Sequence, residues 1–365
     1  MDAIALKALR TGDPVGGADS VVFPGSKVAP VFRERPRALF ILADDTLDCI
    51  YGETERDELA RLADFYAPPQ TRESIGKNLS LLESAEVIFS GWGAPKMDAA
   101  FLKAAPNLRA VFYGAGTIGY FTSPEFWERE IVVTSAYAAN AIPVAEYTLA
   151  AILFSLKNFW QFSAAVRQGK GWGDHTRQVP GNFRSTVGLI SCGMIGRQVT
   201  RLLKSFNLHC LVYDPFLSPE EAAMLGVELC SLDDIFQRSD VVSLHAPDKP
   251  ETHGMITGAH FSQMKQGATF LNTARPRIIR QQELLDVLQQ RPDLTAILDV
   301  CEPEPAPVDS PLLTVPNLIL TPHIAGSLGP ECRRLGAYMV DEFKRYLAGE
   351  PLQWQISREL SARLA

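Results

Sequence analysis

Short apolar runs alternate along the chain with longer stretches whose apolar residues recur at helical spacing. In the first half, the runs lie at residues 38–42, 87–89, 110–112 and 131–133. In the second half, they lie at residues 186–190, 210–213, 241–244, 268–271, 295–298 and 318–320. Such runs predict buried strands, and strands separated by helices predict parallel sheets, because parallel neighbours need a crossover connection. The pattern therefore predicts an α/β protein.

Two stretches interrupt this alternation. Residues 144–166 contain few helix breakers and carry apolar residues at helical spacing, which predicts one long connecting helix. Beyond residue 324 the pattern is helical and no strand pattern follows, so we expect the chain to return to the first domain. The six runs of the second half suit a dinucleotide-binding unit, which is built from parallel strands with right-handed crossovers.

Length and breaker residues divide the chain. Its 365 residues are typical of two domains. Glycine and proline are frequent before residue 37 and prevent long regular elements there. We predict an N-terminal extension at 1–36, a discontinuous substrate-binding domain at 37–142 plus 324–365, and a dinucleotide-binding domain at 143–323.

Composition and charge narrow the function classes. The chain is 46% hydrophobic and 21% charged, which is typical of a globular protein. Its net charge of -7 argues against nucleic acid binding, because phosphate neutralisation needs clustered Lys and Arg. No apolar run approaches about 18 uninterrupted residues, and the first residues lack the pattern of a signal peptide. We therefore expect a cytoplasmic protein with a small-molecule partner and no membrane partner.

The six cysteines are far apart in sequence and form no C-x-x-C pair and no close Cys/His cluster. Structural metal sites and disulfide frameworks need their residues at defined close spacings. We therefore predict reduced thiols and no metal site.

A glycine-bearing turn follows the run at 186–190. Gly193 would let the backbone approach a pyrophosphate, and Gly196 would let the next helix pack close to the strand. The N–H groups at that helix N-terminus are free to bind phosphate. Asp214 ends the next run, where a carboxylate accepts hydrogen bonds from the adenosine ribose and repels a 2′-phosphate. The turn favours NAD over NADP, although other α/β proteins such as methyltransferases share its strand–turn–helix pattern.

Polar residues follow three further runs of the second half. Arg275 comes after the run at 268–271, an acidic segment at 299–304 after the next, and His323 after the last. The carboxyl ends of parallel strands meet at one sheet edge, so we expect these side chains to converge. An arginine binds a carboxylate bidentately, an imidazolium donates a proton, and a carboxylate keeps the imidazole protonated. Beside a nicotinamide, these groups are the parts needed to reduce a 2-keto acid.

These segments resemble the signatures of the D-isomer-specific 2-hydroxyacid dehydrogenase family. The matching sequences are Asn272-Thr-Ala-Arg, Asp299-Val-Cys-Glu-Pro-Glu-Pro and Thr321-Pro-His-Ile-Ala-Gly. The resemblance also includes segments 114–116, 140–146 and 244–254, and it covers roughly residues 37–347. It implies two doubly wound parallel-sheet domains, with a Rossmann dinucleotide-binding domain inserted in a flavodoxin-like substrate domain. It also implies a homodimer.

The resemblance assigns catalytic roles to three residues of this chain. Arg275 would anchor the substrate carboxylate, His323 would be the acid and base, and Glu304 would support the histidine. Glu304 is chosen over Glu302 because the family's catalytic carboxylate lies five residues after the aspartate, which is Asp299 here.

The resemblance also implies binding residues. Ala115 and Gly116 would offer N–H groups to the substrate carboxylate, and Asp299 would face the nicotinamide amide. The expected NAD contacts are Gly193, Met194, Ile195, Gly196, Asp214, Ala246, Pro247, Thr252, Thr273, Ala274 and Asp299.

The implied activity is hydride transfer between NAD(H) and a small 2-hydroxy or 2-keto acid by a D-specific, NAD-dependent dehydrogenase. One alternative is an NAD(H)-binding interaction protein, because transcriptional corepressors also use this fold. Another is a formate dehydrogenase-like enzyme. That branch carries glutamine in place of Glu304, since formate oxidation releases no hydroxyl proton.

The sequence departs from the family pattern at four positions. Ser191 replaces a glycine of the turn, Pro276 and Arg277 replace a Gly-Gly pair, and Arg280 replaces a common acidic residue. Proline stiffens the backbone beside Arg275 and removes one N–H group. Arg277 adds positive charge, from which we hypothesise a phosphorylated or dicarboxylic substrate.

Overall fold

The computed structural model describes residues 34–170 and 179–362. The predicted extension at 1–36 lies outside these residues except for its last three positions. The remaining predicted elements can all be compared with the structure.

The first sheet has five parallel strands in the order β2-β1-β3-β4-β5, which is the flavodoxin-like arrangement. Four of them coincide with the predicted runs, whereas β2 was not predicted. Its strands are β1 (Arg37–Ile41), β2 (Asp64–Phe65), β3 (Val87–Ser90), β4 (Ala110–Tyr113) and β5 (Val132–Ser135). Its helices are α1 (Asp44–Ile50), α2 (Glu53–Leu62), α3 (Arg72–Lys77), α4 (Ala99–Ala104) and α5 (Pro124–Glu128).

Two further helices connect the sheets, α6 (Tyr137–Ser155) and α7 (Phe159–Arg167). The prediction of one helix over 144–166 was therefore wrong. Asn158 stands between the two helices in the left-handed region, with φ 49°, a conformation that Asn tolerates better than most residues. No periodicity marks such a break.

The second sheet has seven parallel strands in the order β12-β11-β10-β9-β6-β7-β8. Six of them match the predicted runs, whereas the two-residue β8 was too short to predict. Its strands are β6 (Phe183–Ile190), β7 (Asn207–Tyr213), β8 (Glu228–Leu229), β9 (Val241–Leu244), β10 (Thr269–Asn272), β11 (Thr295–Leu298) and β12 (Leu318–Leu320). Its helices are α8 (Met194–Leu203), α9 (Pro219–Leu225), α10 (Leu232–Arg238), α11 (Gly258–Ser262) and α12 (Gln281–Gln290).

Chain order in the second sheet reverses between β6 and β9. Loops that leave the carboxyl ends of these strands diverge to opposite faces and leave a crevice, which is where open parallel sheets bind ligands. The central strands are buried throughout, because helices cover both faces.

Helix α6 belongs to both cores. Ala139 packs in the core of the first sheet, and Ala145 and Ile152 pack in the core of the second. Its length and hydropathy would allow it to cross a membrane, a match that the uninterrupted-run criterion did not reveal. Burial between two sheets accounts for its apolar composition.

The chain returns to the first sheet through α13 (Cys332–Ala348), followed by the short helix α14 (Arg358–Ser361). Helix α13 packs on α1, α2, β4 and β5, so the second sheet is an insertion in the unit built on the first. The predicted fold class is confirmed. The domain boundaries stay predictions, and α6 runs continuously past residue 142.

Gly336 allows α13 to lie directly against α1. A Cβ atom at this position would lie 2.0 Å from the Ile50 carbonyl oxygen, which is backbone and cannot move aside. Gly76 in α3 is the matched contrast, because a Cβ atom there would meet no heavy atom within 4 Å.

Gly336→Ala is therefore expected to lower the free energy of unfolding by about 1–3 kcal/mol, the usual cost of overpacking. Gly76→Ala is expected to leave it unchanged or raise it by about 0.5–1 kcal/mol, since alanine restricts the unfolded chain. Urea unfolding followed by circular dichroism measures both. Equal stability of the two variants would contradict the close packing of α13.

Candidate active site

The glycine-bearing turn joins β6 to α8 at the crevice. Ser191 adopts φ 76°, the left-handed conformation for which glycine is suited. A Cβ atom on Gly196 would lie 2.4 Å from the Ser191 carbonyl oxygen, so this glycine is required by packing. A Cβ atom on Gly193 would meet nothing within 4 Å, which leaves open space at the start of α8.

The start of α8 fits a dinucleotide phosphate. Its N-cap residue is Gly193, and no side chain caps the first N–H groups of the helix. Met194 is 40% exposed beside this open space, and Ile195 is half-buried. Uncapped N–H groups at a helix N-terminus, with room in front of them, form an anion-binding site.

Asp214 follows β7 and organises the turn. Its Oδ2 accepts hydrogen bonds from Cys192 N at 2.6 Å and Ser191 Oγ at 3.3 Å, and its Oδ1 accepts one from Phe216 N at 2.8 Å. The carboxylate is half-buried and holds the loops after β6 and β7 together. The sequence predicted a ribose contact here but not this structural role.

His245 and Ala246 are buried beside the turn, after β9. The backbone N–H group of His245 donates to the Ile190 carbonyl at 2.8 Å. Burial lowers the pKa of the His245 side chain to about 4, so the imidazole is neutral. Pro247 is half-buried. The Thr252 hydroxyl donates to the Pro247 carbonyl at 2.6 Å, so it is engaged within its own loop.

Asn272 shapes the loop after β10 that carries Arg275. This fully buried amide accepts from Ala274 N at 2.9 Å and donates to the Arg275 carbonyl at 3.1 Å. Arg275 is extended, with φ -142° and ψ 148°, which is the conformation that a following proline requires. Pro276 is therefore compatible with the position of this arginine. Thr273 and Ala274 are buried beside it.

The Arg275 guanidinium lies between the two sheets. It donates to the Ala274 carbonyl at 2.8 Å and to Thr117 Oγ1, on the loop after β4, at 3.4 Å. Burial lowers the pKa of Arg275, and the carboxylates of Asp248 and Glu304 oppose this shift. An arginine remains a cation under such conditions, so a half-buried positive charge is available in the cleft.

Ala115 and Gly116 directly precede Thr117. The Ser135 hydroxyl, which has one hydrogen to donate, lies within hydrogen-bond distance of both of their carbonyl oxygens, at 2.8 Å for Ala115. Among the described residues, none accepts a hydrogen bond from the Ala115 or Gly116 N–H groups. These N–H groups are therefore available beside Arg275.

His323 and Glu304 form a pair at the carboxyl edge of the second sheet. His323 Nδ1 lies 2.9 Å from Glu304 Oε1, and the two side chains are 50% and 38% exposed. Because Nδ1 faces the carboxylate, Nε2 is the nitrogen left for a substrate. His323 has φ 54°, a conformation that a non-glycine residue keeps only when its surroundings enforce it.

Asp299 makes the hydrogen bonds that keep His323 in this left-handed conformation. Its carboxylate is buried and accepts hydrogen bonds from Thr321 Oγ1 at 2.6 Å, Ile324 N at 2.9 Å and Ala325 N at 2.9 Å. The backbone N–H group of His323 donates to the backbone carbonyl of Asp299 at 3.0 Å. Sequence reasoning placed Asp299 beside the nicotinamide and missed that it holds the histidine loop.

Arg277 pairs with Glu302, its Nε lying 3.1 Å from Oε1. This carboxylate balances the charge on which the hypothesis of a phosphorylated or dicarboxylic substrate depended.

Sequence reasoning also missed Thr117 and Asn272, although both lie within or beside recognised motifs. In the described part of the chain, no group of three or more His, Cys, Asp or Glu side chains is arranged to hold a metal ion.

The chain matches a family model described as the D-isomer specific 2-hydroxyacid dehydrogenase, NAD binding domain, over residues 149–325. A glyoxylate reductase of Korarchaeum cryptofilum is 34% identical over 258 residues, which are 68% of this chain and 77% of that protein. A D-3-phosphoglycerate dehydrogenase of Archaeoglobus fulgidus is 32% identical over 259 residues, or 71% of this chain and 49% of that protein. This chain thus spans about half the length of the D-3-phosphoglycerate dehydrogenases that it matches.

The whole two-domain arrangement is similar to solved structures. A crystal structure from Treponema pallidum, described as a D-lactate dehydrogenase, aligns with a TM-score of 0.71 and 25% identity. The alignment covers 88% of this chain and 99% of that one. The chain therefore belongs to the D-isomer specific 2-hydroxyacid dehydrogenase family, and residues 149–325 match that family's NAD-binding domain.

Proposed function

We propose that this protein is an NAD-dependent, D-specific dehydrogenase that interconverts small 2-keto and 2-hydroxy acids. The observation that carries the proposal is the contact of 2.9 Å between His323 and Glu304 at the sheet edge that also carries Arg275. An acid–base pair and a half-buried cation at one cleft are the groups that reduction of a keto acid requires.

The chemistry follows from what each side chain can do. Arg275 binds the substrate carboxylate, together with the free N–H groups of Ala115 and Gly116. His323 Nε2 donates a proton to the keto oxygen, and the Glu304 carboxylate stabilises the imidazolium before that transfer. In the opposite direction, the same nitrogen accepts the hydroxyl proton. NAD(H), when bound, supplies or accepts the hydride.

Residues around the crevice would hold the cofactor. The N–H groups of Met194, Ile195 and Gly196 would bind the pyrophosphate, for which Gly193 leaves room. Asp214 would bind the adenosine ribose. Neighbouring loops carry the other residues proposed to contact the cofactor, which are Ala246, Pro247, Thr252, Thr273 and Ala274. Asp299 Oδ2 accepts only one of the hydrogen bonds given above, so it has a lone pair left for the nicotinamide amide.

The competing functions differ in turnover. A corepressor-like interaction protein would bind NADH without oxidising it, and a formate dehydrogenase-like enzyme would reduce NAD with formate. Glu304 favours the hydroxyacid reaction over the formate reaction, since only the former has a hydroxyl proton to move. A cytoplasmic location is part of the same proposal.

NADH oxidation is expected with at least one acid in a panel that includes glyoxylate, hydroxypyruvate and longer 2-keto acids. His323→Ala is expected to lower kcat about 100- to 10,000-fold, the usual contribution of a general acid. Arg275→Ala is expected mainly to raise KM, because it removes substrate binding. Absorbance at the NADH maximum measures all three.

The matched control is His209→Ala. His209 is 50% exposed and pairs with Glu228 at 2.8 Å, so it reproduces the exposure and pairing of His323 away from the cleft. Its kinetics should equal those of the wild type. NADH binding without turnover of any 2-keto acid would overturn the proposed activity.

Ser191 offers a separate test of the cofactor turn. Ser191→Gly should raise the free energy of unfolding by about 1 kcal/mol, because glycine adopts the left-handed conformation without the cost of a Cβ atom. Ser191→Ala keeps the strained backbone and loses only a hydrogen bond of 3.3 Å, so it should bring no gain. Urea unfolding distinguishes them. NADH binding, followed by fluorescence, should survive in Ser191→Gly, and its loss would contradict the proposed turn.

We also propose a homodimer that forms through α7. No residue of α7 is buried, and apolar side chains beside and within it are exposed: Phe154 is 46% exposed, Phe159 42% and Val166 54%. The Phe154 and Phe159 rings lie 4.6 Å apart and form part of one aromatic patch. Contiguous exposed apolar surface of this kind marks a protein contact.

Light scattering after size exclusion should give about twice the chain mass of 40.1 kDa. Phe159→Glu combined with Val166→Glu should give the monomer, because two charges per subunit would be buried at the contact. Met224→Glu is the control, since this side chain is 76% exposed on α9. A wild-type monomer, or a dimer that survives the double substitution, would refute the α7 contact.

A further inference from the structure

We propose that Tyr147 and Asn140 of α6 are positioning residues that hold the segment carrying His323 at both of its ends. The inference rests on the proposed function, because it concerns the placement of the proposed acid and base. It begins from two hydrogen bonds that connect α6 to residues 321–327 and that no motif predicted.

The first contact holds the start of the segment. The Tyr147 and Thr321 hydroxyl oxygens lie 2.9 Å apart. Thr321 has a single hydroxyl hydrogen and donates it to Asp299 Oδ1 at 2.6 Å, so Tyr147 must be the donor to Thr321. The result is a directed chain from a phenol through a threonine to a buried carboxylate. The hydrogen bonds in such a chain polarise one another, which strengthens the bond from Thr321 to Asp299.

The second contact holds the end of the segment. Asn140 Oδ1 accepts a hydrogen bond from the Ser327 N–H group at 2.9 Å. A Cβ atom on Gly326 would lie 3.3 Å from the same oxygen, so the backbone passes close to this amide. Residues 140 and 147 are seven positions apart in a continuous helix, which places both on one face.

The position of His323 depends on this attachment. Its φ of 54° is maintained by the surrounding bonds, and Asp299 supplies the nearest of them. Tyr147 acts on His323 only through Thr321 and Asp299, so it is not expected to touch the substrate. Because α6 packs in the cores of both sheets, the helix also fixes the histidine segment relative to the loops that follow β4.

Tyr147→Phe removes the hydroxyl and preserves the ring. It should lower kcat about 5-fold, the effect of losing one neutral hydrogen bond, and leave KM for NADH unchanged. Amide hydrogen exchange of residues 321–327, measured by mass spectrometry, should become about 5-fold faster. Tyr137→Phe is the matched control on the same helix, and neither quantity should change in it.

Thr321→Val tests the route. If Tyr147 acts through Thr321, adding Tyr147→Phe to Thr321→Val should change neither kcat nor exchange any further. Asn140→Ala should accelerate exchange at the other end of the segment. Additive effects of Tyr147→Phe and Thr321→Val, or unchanged exchange in Tyr147→Phe, would overturn the inference.

The exchange measurement separates this inference from the proposed activity. A wild-type protein without turnover would refute the activity, while faster exchange in Tyr147→Phe would still support the attachment of the segment to α6. Turnover in the wild type together with unchanged exchange and kcat in Tyr147→Phe would refute the attachment alone.

Discussion

The buried Asp299 carboxylate is the constraint on which the site depends. An ionised carboxylate removed from water must be surrounded by donors, since an unpaired charge in the interior is very unfavourable. Here the donors are the Thr321 hydroxyl and the backbone N–H groups of Ile324 and Ala325. To reach the carboxylate from both sides, the chain must bend sharply at His323, which explains its left-handed backbone.

The same segment is where the chain leaves the second sheet for the first. His323 lies on the loop that follows β12, and α13 begins farther along the chain and packs on the opposite unit. Across the cleft, Arg275 on the second sheet reaches Thr117 on the loop after β4. The proposed acid and the proposed substrate anchor therefore both lie where the units meet. Their separation depends on how the units are held, and α6 is the element common to both cores.

The fold was predictable where burial leaves a clear pattern. Every strand of three residues or more overlapped a predicted apolar run, because strand segments covered on both faces are mostly apolar. The first three residues of β6 and of β7 lay outside their predicted runs. The two strands that were missed, β2 and β8, have two residues each, and each lies at the edge of its sheet. The break at Asn158 was missed because it depends on a single backbone angle.

The candidate site was also predictable only in part. The pairing of His323 with Glu304 followed from the resemblance to the family, whose catalytic carboxylate lies five residues after the aspartate at position 299. The structural roles of Asp214 and Asp299 did not follow, since their partners are backbone N–H groups whose positions no sequence pattern encodes. No sequence pattern indicated a role for Tyr147, because a tyrosine on an apolar helix is usually interpreted as a core residue.

The departures from the family pattern can now be weighed against the geometry. Ser191 adopts the backbone of the glycine it replaces, Pro276 follows an arginine that is already extended, and Glu302 balances Arg277. These three residues are accommodated by their surroundings, and the fourth departure, Arg280, pairs with Glu283 at 3.0 Å. We therefore expect substrate choice to depend on the loops of the first sheet, which face Arg275 across the cleft. There Tyr120, which is 43% exposed, is fixed by a hydrogen bond of 2.7 Å to Tyr113 only a few residues beyond Gly116. This hydrogen bond restricts the orientation of an aromatic side chain on the same loop that carries Ala115 and Gly116, the residues proposed to bind the substrate carboxylate.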